Sequence, residues 1–205
     1  MGSILVVCTG NICRSPMAEG VIRRRLAERG IGGIAVHSAG VAGWEQSGAT
    51  PEAVQAAFEL GADIRDHVAR RLIPAMAGEA DLVLAMTEEH AEAVSRSAPH
   101  SAKKTFTLKE LVNILDHSPV EAADGTPTDG LRAAVAFADQ QRANGAGATT
   151  MDLDIADPLG LGIESYRATA WELDQLVERL MDSLFGAEAI EVVPEASGGV
   201  GEGRG

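Results

Sequence analysis

Ile4-Leu5-Val6-Val7-Cys8-Thr9-Gly10-Asn11-Ile12-Cys13-Arg14-Ser15-Pro16-Met17-Ala18-Glu19 is the stretch that sets the architecture. Four apolar residues in a row, closed by a Gly-Asn turn signal, predict a strand buried on both faces. Ser15-Pro16 then opens a helix, since proline suits the first turn. A thiol therefore stands where a buried strand ends and a helix begins. In an open parallel sheet, ligands bind at the carboxyl ends of the strands, and the next helix offers unpaired N–H groups and a positive dipole end to an anion. Gly10 and Asn11 tolerate the strained backbone that a loop needs if its amides are to converge on one oxyanion. A phosphate fits such a cradle.

A thiol attacks only as thiolate, which a helix N-terminus, converging amides and a guanidinium all favour. Cys8 has these three in prospect. Arg14, on the first helical turn, can return its planar fork to the loop and hold two oxygens of a tetrahedral anion, before and during phosphoryl transfer. Ser15 is placed to donate a hydroxyl hydrogen bond to Cys8, and Asn11 to brace the loop. The same residues also read as a core thiol, a solvated arginine and an ordinary helix start. Far along the chain, Asp154-Ile155-Ala156-Asp157-Pro158-Leu159-Gly160 offers a second chemical group. A phosphate monoester needs an acid to protonate its departing oxygen, and Asp157, held by the following proline, is the candidate. A turn-forming Asp-Pro pair is the simpler reading of the same dipeptide.

Val6 through Glu19 resembles the N-terminal signature of the low molecular weight protein-tyrosine-phosphatase family, bacterial type. His37-Ser38-Ala39-Gly40 followed by Trp44, then Asp81-Leu82-Val83-Leu84-Ala85-Met86, then Asp157-Pro158, follow in the family's order. The resemblance implies a flavodoxin-like, doubly wound α/β three-layer sandwich around a four-stranded parallel sheet of order 2-1-3-4. It implies a metal-independent, cofactor-free phosphatase acting on phosphotyrosine in proteins through a cysteinyl-phosphate intermediate. Cys8 would be the nucleophile, Arg14 the phosphate clamp and Asp157 the general acid and then base. Thr9, Gly10, Asn11, Ile12, Cys13, Ser15 and Trp44 would surround the substrate. The resemblance also allows a reversible Cys8–Cys13 disulfide that protects the thiolate, beside a plain packing role for Cys13.

The loop after Asp157 departs from the tyrosine-directed pattern, which often carries aromatics where Leu159 and Gly160 stand. Trp44 is the best-placed replacement among seven aromatic residues. The short Asp-Pro-Leu-Gly-Leu-Gly loop is similar to that of protein-arginine phosphatases of this family. Those relatives tend to have threonine at the position of Ile12, whereas an apolar β-branched residue there is the tyrosine-directed choice. Ile12, predicted to line the pocket floor, tips the expectation toward phosphotyrosine, with phosphoarginine as the alternative. Arsenate reductases share the loop but relay a disulfide through further cysteines. With only Cys8 and Cys13 in the chain, that reaction is disfavoured.

The 205 residues suit one compact domain, and 45% hydrophobic content agrees. Apolar runs are too short for a membrane span, and the chain enters its first strand without a signal peptide, so the expectation is a cytoplasmic protein, monomeric by preference. The net charge of −13 argues against nucleic acid and anionic membranes as partners, leaving a phosphorylated protein substrate. His37, His90, His100 and His117 show no metal-ligand clustering with one another or with the cysteines, and no metal is expected.

Strands are expected near 3–8, 34–38, 80–85 and 103–106, and helices at 15–29, 51–60, 67–76, 87–97, 107–115 and 163–185. Leu173, Leu176, Val177, Leu180, Met181 and Leu184 give the last helix a core-facing stripe. Arg23-Arg24-Arg25 reads as a solvated face. His67 reads as a structural helix start. The phosphatase domain is expected to cover 1–186, with an insertion at 117–149 that carries a helical stretch from Leu131 to Arg142 and either caps the pocket or runs over the surface. Residues 187–205, acidic and glycine-rich, are expected to be a disordered tail.

Overall fold

The computed structural model describes residues 1–117, 125–146 and 152–186. Strand β1 (Gly2–Cys8) pairs in parallel with β2 (Ile34–Gly40) and with β3 (Leu82–Ala85), and β3 pairs in parallel with β4 (Thr105–Thr107), in the order β2-β1-β3-β4. Side chains along β1 alternate between two apolar layers. Ile4 and Val6 enter the larger one with Leu82, Leu84 and Phe106; Leu5 and Val7 enter the smaller with Val83, Ala77 and Val94. Both faces of the sheet are thus covered, which is why its strands read as continuous apolar runs. Helices α1 (Arg14–Glu28), α2 (Pro51–Glu59), α5 (Leu108–His117), α6 (Pro127–Ala143) and α7 (Ile163–Phe185) contribute to the larger layer. Helices α3 (Pro74–Glu79) and α4 (Glu88–Ser97) contribute to the smaller one. This is the flavodoxin-like three-layer arrangement that the family resemblance implies.

The register places Cys8 beside Gly40 at the carboxyl ends of β1 and β2. A Cβ at Gly40 would lie 2.6 Å from the Thr9 carbonyl oxygen and 2.9 Å from the Asn11 nitrogen, so only glycine lets the loop after β1 fold back over β2.

The expected helix at 67–76 is not one. Residues 67–72 run extended and pair with the end of β2 and the loop beyond it: Gly40 N donates to Arg70 O, Leu72 N to Gly40 O and Ala69 N to Ser47 O. Helix formation waits for Pro74 at the first turn of α3, because a residue before proline is driven to extended backbone, as Ile73 is. The arginine run also departs from expectation. Arg23 is solvated, but Arg24 and Arg25 turn toward α7 and share the carboxylate of Asp174, while Arg29 reaches Glu178 and Asp182. The run is an ion-paired seam between α1 and α7.

Helix α6 carries a full capping box, Thr126 with Asp129. Thr128 Oγ1 donates to Gly33 O, Arg132 pairs with Asp81, and Arg142 donates to Thr105 O while stacking on Phe106 at 4.1 Å. Gly33, Asp81 and Thr105 mark the amino ends of β2, β3 and β4. The described part of the 117–149 segment therefore lies at the end of the sheet opposite Cys8. The expected tail, 187–205, lies outside the described residues, as do 118–124 and 147–151. No described helix is long and apolar enough to cross a membrane.

Candidate active site

From Cys8 to Ile12 every carbonyl is hydrogen-bonded by a neighbouring segment. Cys8 O accepts from Val41 N at 2.9 Å, Thr9 O from Ala42 N at 3.0 Å, Gly10 O from Trp44 N at 3.2 Å and Ile12 O from Thr50 N at 2.9 Å. Asn11 O is 2.7 Å from His67 Nε2, whose N–H donates to it. A trans peptide holds its C=O and N–H on opposite sides, so drawing the carbonyls outward turns the following N–H groups inward. The loop is an amide-lined cup at the amino end of α1, with Cys8 at its base and Asn11 in left-handed conformation at φ 58°.

Around the thiol, proton directions can be assigned. Asn11 Nδ2 has two hydrogens and two acceptors, Ser15 Oγ at 2.9 Å and Ser38 Oγ at 2.8 Å. Asn11 Oδ1 accepts from Arg70 N at 2.9 Å, which fixes the amide's orientation. Ser38 spends its own proton on Glu19. Ser15, already accepting from Asn11, is left to donate to Cys8 Sγ at 2.9 Å, and Asn11 N points at the same sulfur at 3.3 Å. Cys8 is 3% exposed. Its surroundings offer donors, as a thiolate requires.

Arg14 lies over this cup with its side chain 5% exposed. It donates through Nη1 to Ile155 O at 3.1 Å and through Nη2 to Thr9 Oγ1 at 3.2 Å and Asp157 Oδ2 at 2.6 Å. The Asp157 carboxyl, on the rim, also accepts from Leu159 N at 3.1 Å, an Asx turn that aims it back at Arg14. Residues 143 apart in sequence are thus brought into direct contact. Ile155 N is itself anchored to Met86 O at 2.8 Å, which ties the acid loop to the end of β3.

Gly10 sits between Ile12 and Trp44; a Cβ there would come within 3.3 Å of Ile12 Cγ1 and 3.2 Å of Trp44 Cδ1. Ile12 is buried, whereas Trp44 is 52% exposed and stands at the rim. Cys13 Sγ lies 3.6 Å from each of the hydroxyls of Thr50 and Tyr166. Burial pushes the Cys13 thiol above its ordinary value, against those two hydrogen bonds, which pull it down. Both cysteines are free thiols.

Several members of the site escaped sequence reading. Ser38, Glu19 and Arg70 enter only through tertiary hydrogen bonds. His90, 4% exposed, lies with Nε2 at 2.9 Å from Thr9 Oγ1 and Nδ1 at 2.7 Å from Thr87 Oγ1. Burial, and then the charge of Arg14, lower its pKa to about 4. The available signal was Thr87-Glu88-Glu89-His90, a helix cap directly after β3, but spacing tests for metal ligands pass over it.

An anion cup with a thiol at its base, a buried guanidinium above and a carboxyl on the rim defines a cysteine-dependent phosphatase. Comparison with known proteins agrees. The profile of the low molecular weight phosphotyrosine protein phosphatase family matches residues 3–137, and the chain belongs to that family. It is 34% identical over 181 residues to the protein-arginine-phosphatase of Bacillus subtilis, covering 88% of this chain and 95% of that protein. It is 45% identical over 104 residues to the low molecular weight protein-tyrosine-phosphatase Etp of Escherichia coli, covering 51% and 67% respectively. The crystal structure of the low molecular weight protein tyrosine phosphatase from T. tengcongensis superposes with a TM-score of 0.68 at 33% identity, covering 90% of this chain and 100% of that one.

Proposed function

We propose that the protein hydrolyses phosphotyrosine in protein substrates in two steps. Cys8 Sγ attacks phosphorus in line, the P–O bond to the tyrosine breaks, and Asp157 gives its proton to the departing phenoxide oxygen. Water then attacks the phosphocysteine, Asp157 takes the water's proton, and Cys8 leaves as thiolate with release of phosphate. Arg14 and the amides of the cup hold the equatorial oxygens in both steps. The observation that carries this reading is the joining of the two halves of the site: Ser15 and Asn11 converge on Cys8 Sγ while Arg14 bridges from the cup to Asp157.

Phosphotyrosine is supported by Ile12, an apolar β-branched side chain within the loop, and by Trp44, whose exposed ring can flank a phenyl group. Phosphoarginine is the second reading. The near full-length match to a protein-arginine-phosphatase favours it, as does the absence of aromatics at Leu159 and Gly160. Residues 1–186 form the catalytic domain in this reading, which acts as a cytoplasmic monomer; two free thiols suit a reducing compartment, and a charge of −13 suits neither nucleic acid nor an anionic membrane. Hydrolysis of a phosphotyrosine and a phosphoarginine peptide, compared side by side in chelator-treated buffer with wild type and Cys8→Ser, tests the assignment. Wild type should prefer phosphotyrosine and Cys8→Ser should be inert. A strong preference for phosphoarginine overturns the substrate, and inertness toward both overturns the reaction.

A further inference from the structure

We propose that His90 is a positioning residue of the phosphate clamp: through Thr9 it fixes the direction in which Arg14 presents its guanidinium to the anion. The proposal rests on the phosphatase reading for its use of Arg14, but it concerns the binding of phosphate itself.

Arg14 directs the two protons of Nη2 to Thr9 Oγ1 and Asp157 Oδ2, and one of Nη1 to Ile155 O. Ile155 is buried backbone and Asp157 is a half-exposed side chain on the rim. A phosphoryl group that engages the guanidinium competes with Asp157 for it, because carboxylate and phosphate are alternative acceptors for the same fork. Two partners then hold Arg14 from the protein side, the Ile155 carbonyl and the Thr9 hydroxyl. A carbonyl within the backbone is fixed; a threonine hydroxyl is not. Thr9 is exposed at the edge of the cup, and its Oγ1 is held in place by the bond of 2.9 Å to His90 Nε2.

His90 is itself secured at three points. Its backbone N caps onto Thr87 Oγ1 at 3.2 Å, its Nδ1 is 2.7 Å from the same oxygen, and its ring is buried at the start of α4. The chain Thr87–His90–Thr9–Arg14 therefore runs from the amino end of one helix to the guanidinium over another, with every link a hydrogen bond. The ring is neutral, since burial and the neighbouring Arg14 hold its pKa near 4. A neutral imidazole carries one donor and one acceptor nitrogen, so it can bridge two hydroxyls without placing a second cation beside Arg14. No lysine or arginine could take this place without repelling the clamp. Alanine would leave Thr9 free to choose among its staggered rotamers, only one of which meets Arg14.

The test is titration of inorganic phosphate, with calorimetric detection, into wild type, His90→Ala, His90→Gln, Thr9→Val and the double variant His90→Ala/Thr9→Val. Thermal unfolding of each is recorded beside it. Losing one ordering hydrogen bond should raise the phosphate Kd about fivefold to tenfold in His90→Ala. Glutamine, whose amide can reach Thr9, should restore it to within about threefold. If both residues act through one bond, the double variant binds no more weakly than Thr9→Val alone. In turnover, KM for a phenyl phosphate ester should rise with the phosphate Kd. A folded His90→Ala protein that binds phosphate as wild type does overturns the proposal, as does full additivity with Thr9→Val. The binding readout stands even if wild type hydrolyses no ester, an outcome that would remove the phosphatase reading alone.

Discussion

Replacing Asn11 by alanine removes the keystone of the cup, and its cost can be worked from the contacts. The side chain is fully buried and makes three hydrogen bonds, to Ser15, Ser38 and the Arg70 amide. Each buried bond contributes on the order of 1 kcal/mol net, and more where the surviving partner is left unsatisfied. Its backbone is left-handed at φ 58°, which asparagine tolerates and alanine enters at about 1 kcal/mol or more. The sum is about 4 kcal/mol, or roughly 8–16 °C in Tm for a domain of this size. Asn11→Gly relieves the backbone but not the lost bonds, and should fall about 1 kcal/mol short of that loss. Thermal melts of the two variants against wild type, with kcat measured alongside, read both effects. A Tm for Asn11→Ala within 3 °C of wild type, or glycine proving as harmful as alanine, would refute the reasoning.

Three further outcomes follow from the same contacts. Asp157→Asn should slow hydrolysis of phenyl phosphate by about two to three orders of magnitude and of p-nitrophenyl phosphate far less, because only the poorer leaving group needs the proton; equal losses would remove Asp157 as the acid. His90, with a folded pKa near 4 against about 6.5 unfolded, binds its proton more readily when the chain is unfolded. Stability should therefore drop as pH falls from about 6.5 toward 4, by about 2–3 kcal/mol more in wild type than in His90→Gln, and parallel pH curves would contradict this. Asp174→Ala removes the carboxylate that Arg24 and Arg25 share in the seam between α1 and α7, leaving Arg24 to Glu28 and the Leu60 carbonyl and Arg25 to Glu28 and Glu178, and should cost about 1–2 kcal/mol in urea unfolding. A loss below about 0.5 kcal/mol would mark the pair as ordinary surface charge.

The first strand, the turn and the first helix were readable from Ile4 to Glu19 because local rules agree there: an apolar run, residues that accept strained backbone, then Ser-Pro. The same agreement made β2, β3 and α7 legible. The stretch from His67 to Met76 was not, since its mixed apolar and charged pattern fits a helix equally well. What decides it is pairing with Gly40 and Ser47, contacts that no local window contains. Arg24 and Arg25 failed likewise, because their solvation depends on Asp174 being opposite them, 150 and 149 residues away. In the site, Cys8, Arg14 and Asp157 could be picked out by chemistry plus resemblance. The bond from Ser15 to Cys8 and the bracing by Asn11 followed from position in the loop. The partners that orient Asn11, which are Ser38 and the Arg70 amide, and the link from Thr87 through His90 to Thr9 could not be picked out. Serine, threonine and histidine are common, and only their placement makes them part of a clamp.

The covalent intermediate is the center of the account, and rapid acid quench tests it most directly. Asp157→Ala, mixed with p-nitrophenyl phosphate in chelator-treated buffer and quenched within the first turnovers, should carry phosphate on the peptide containing Cys8, detected by mass, at a stoichiometry approaching one per chain. Cys8→Ala treated identically should carry none. Steady turnover by wild type without any phosphate trapped on Cys8 in either enzyme, or with phosphate on another residue, would contradict the mechanism.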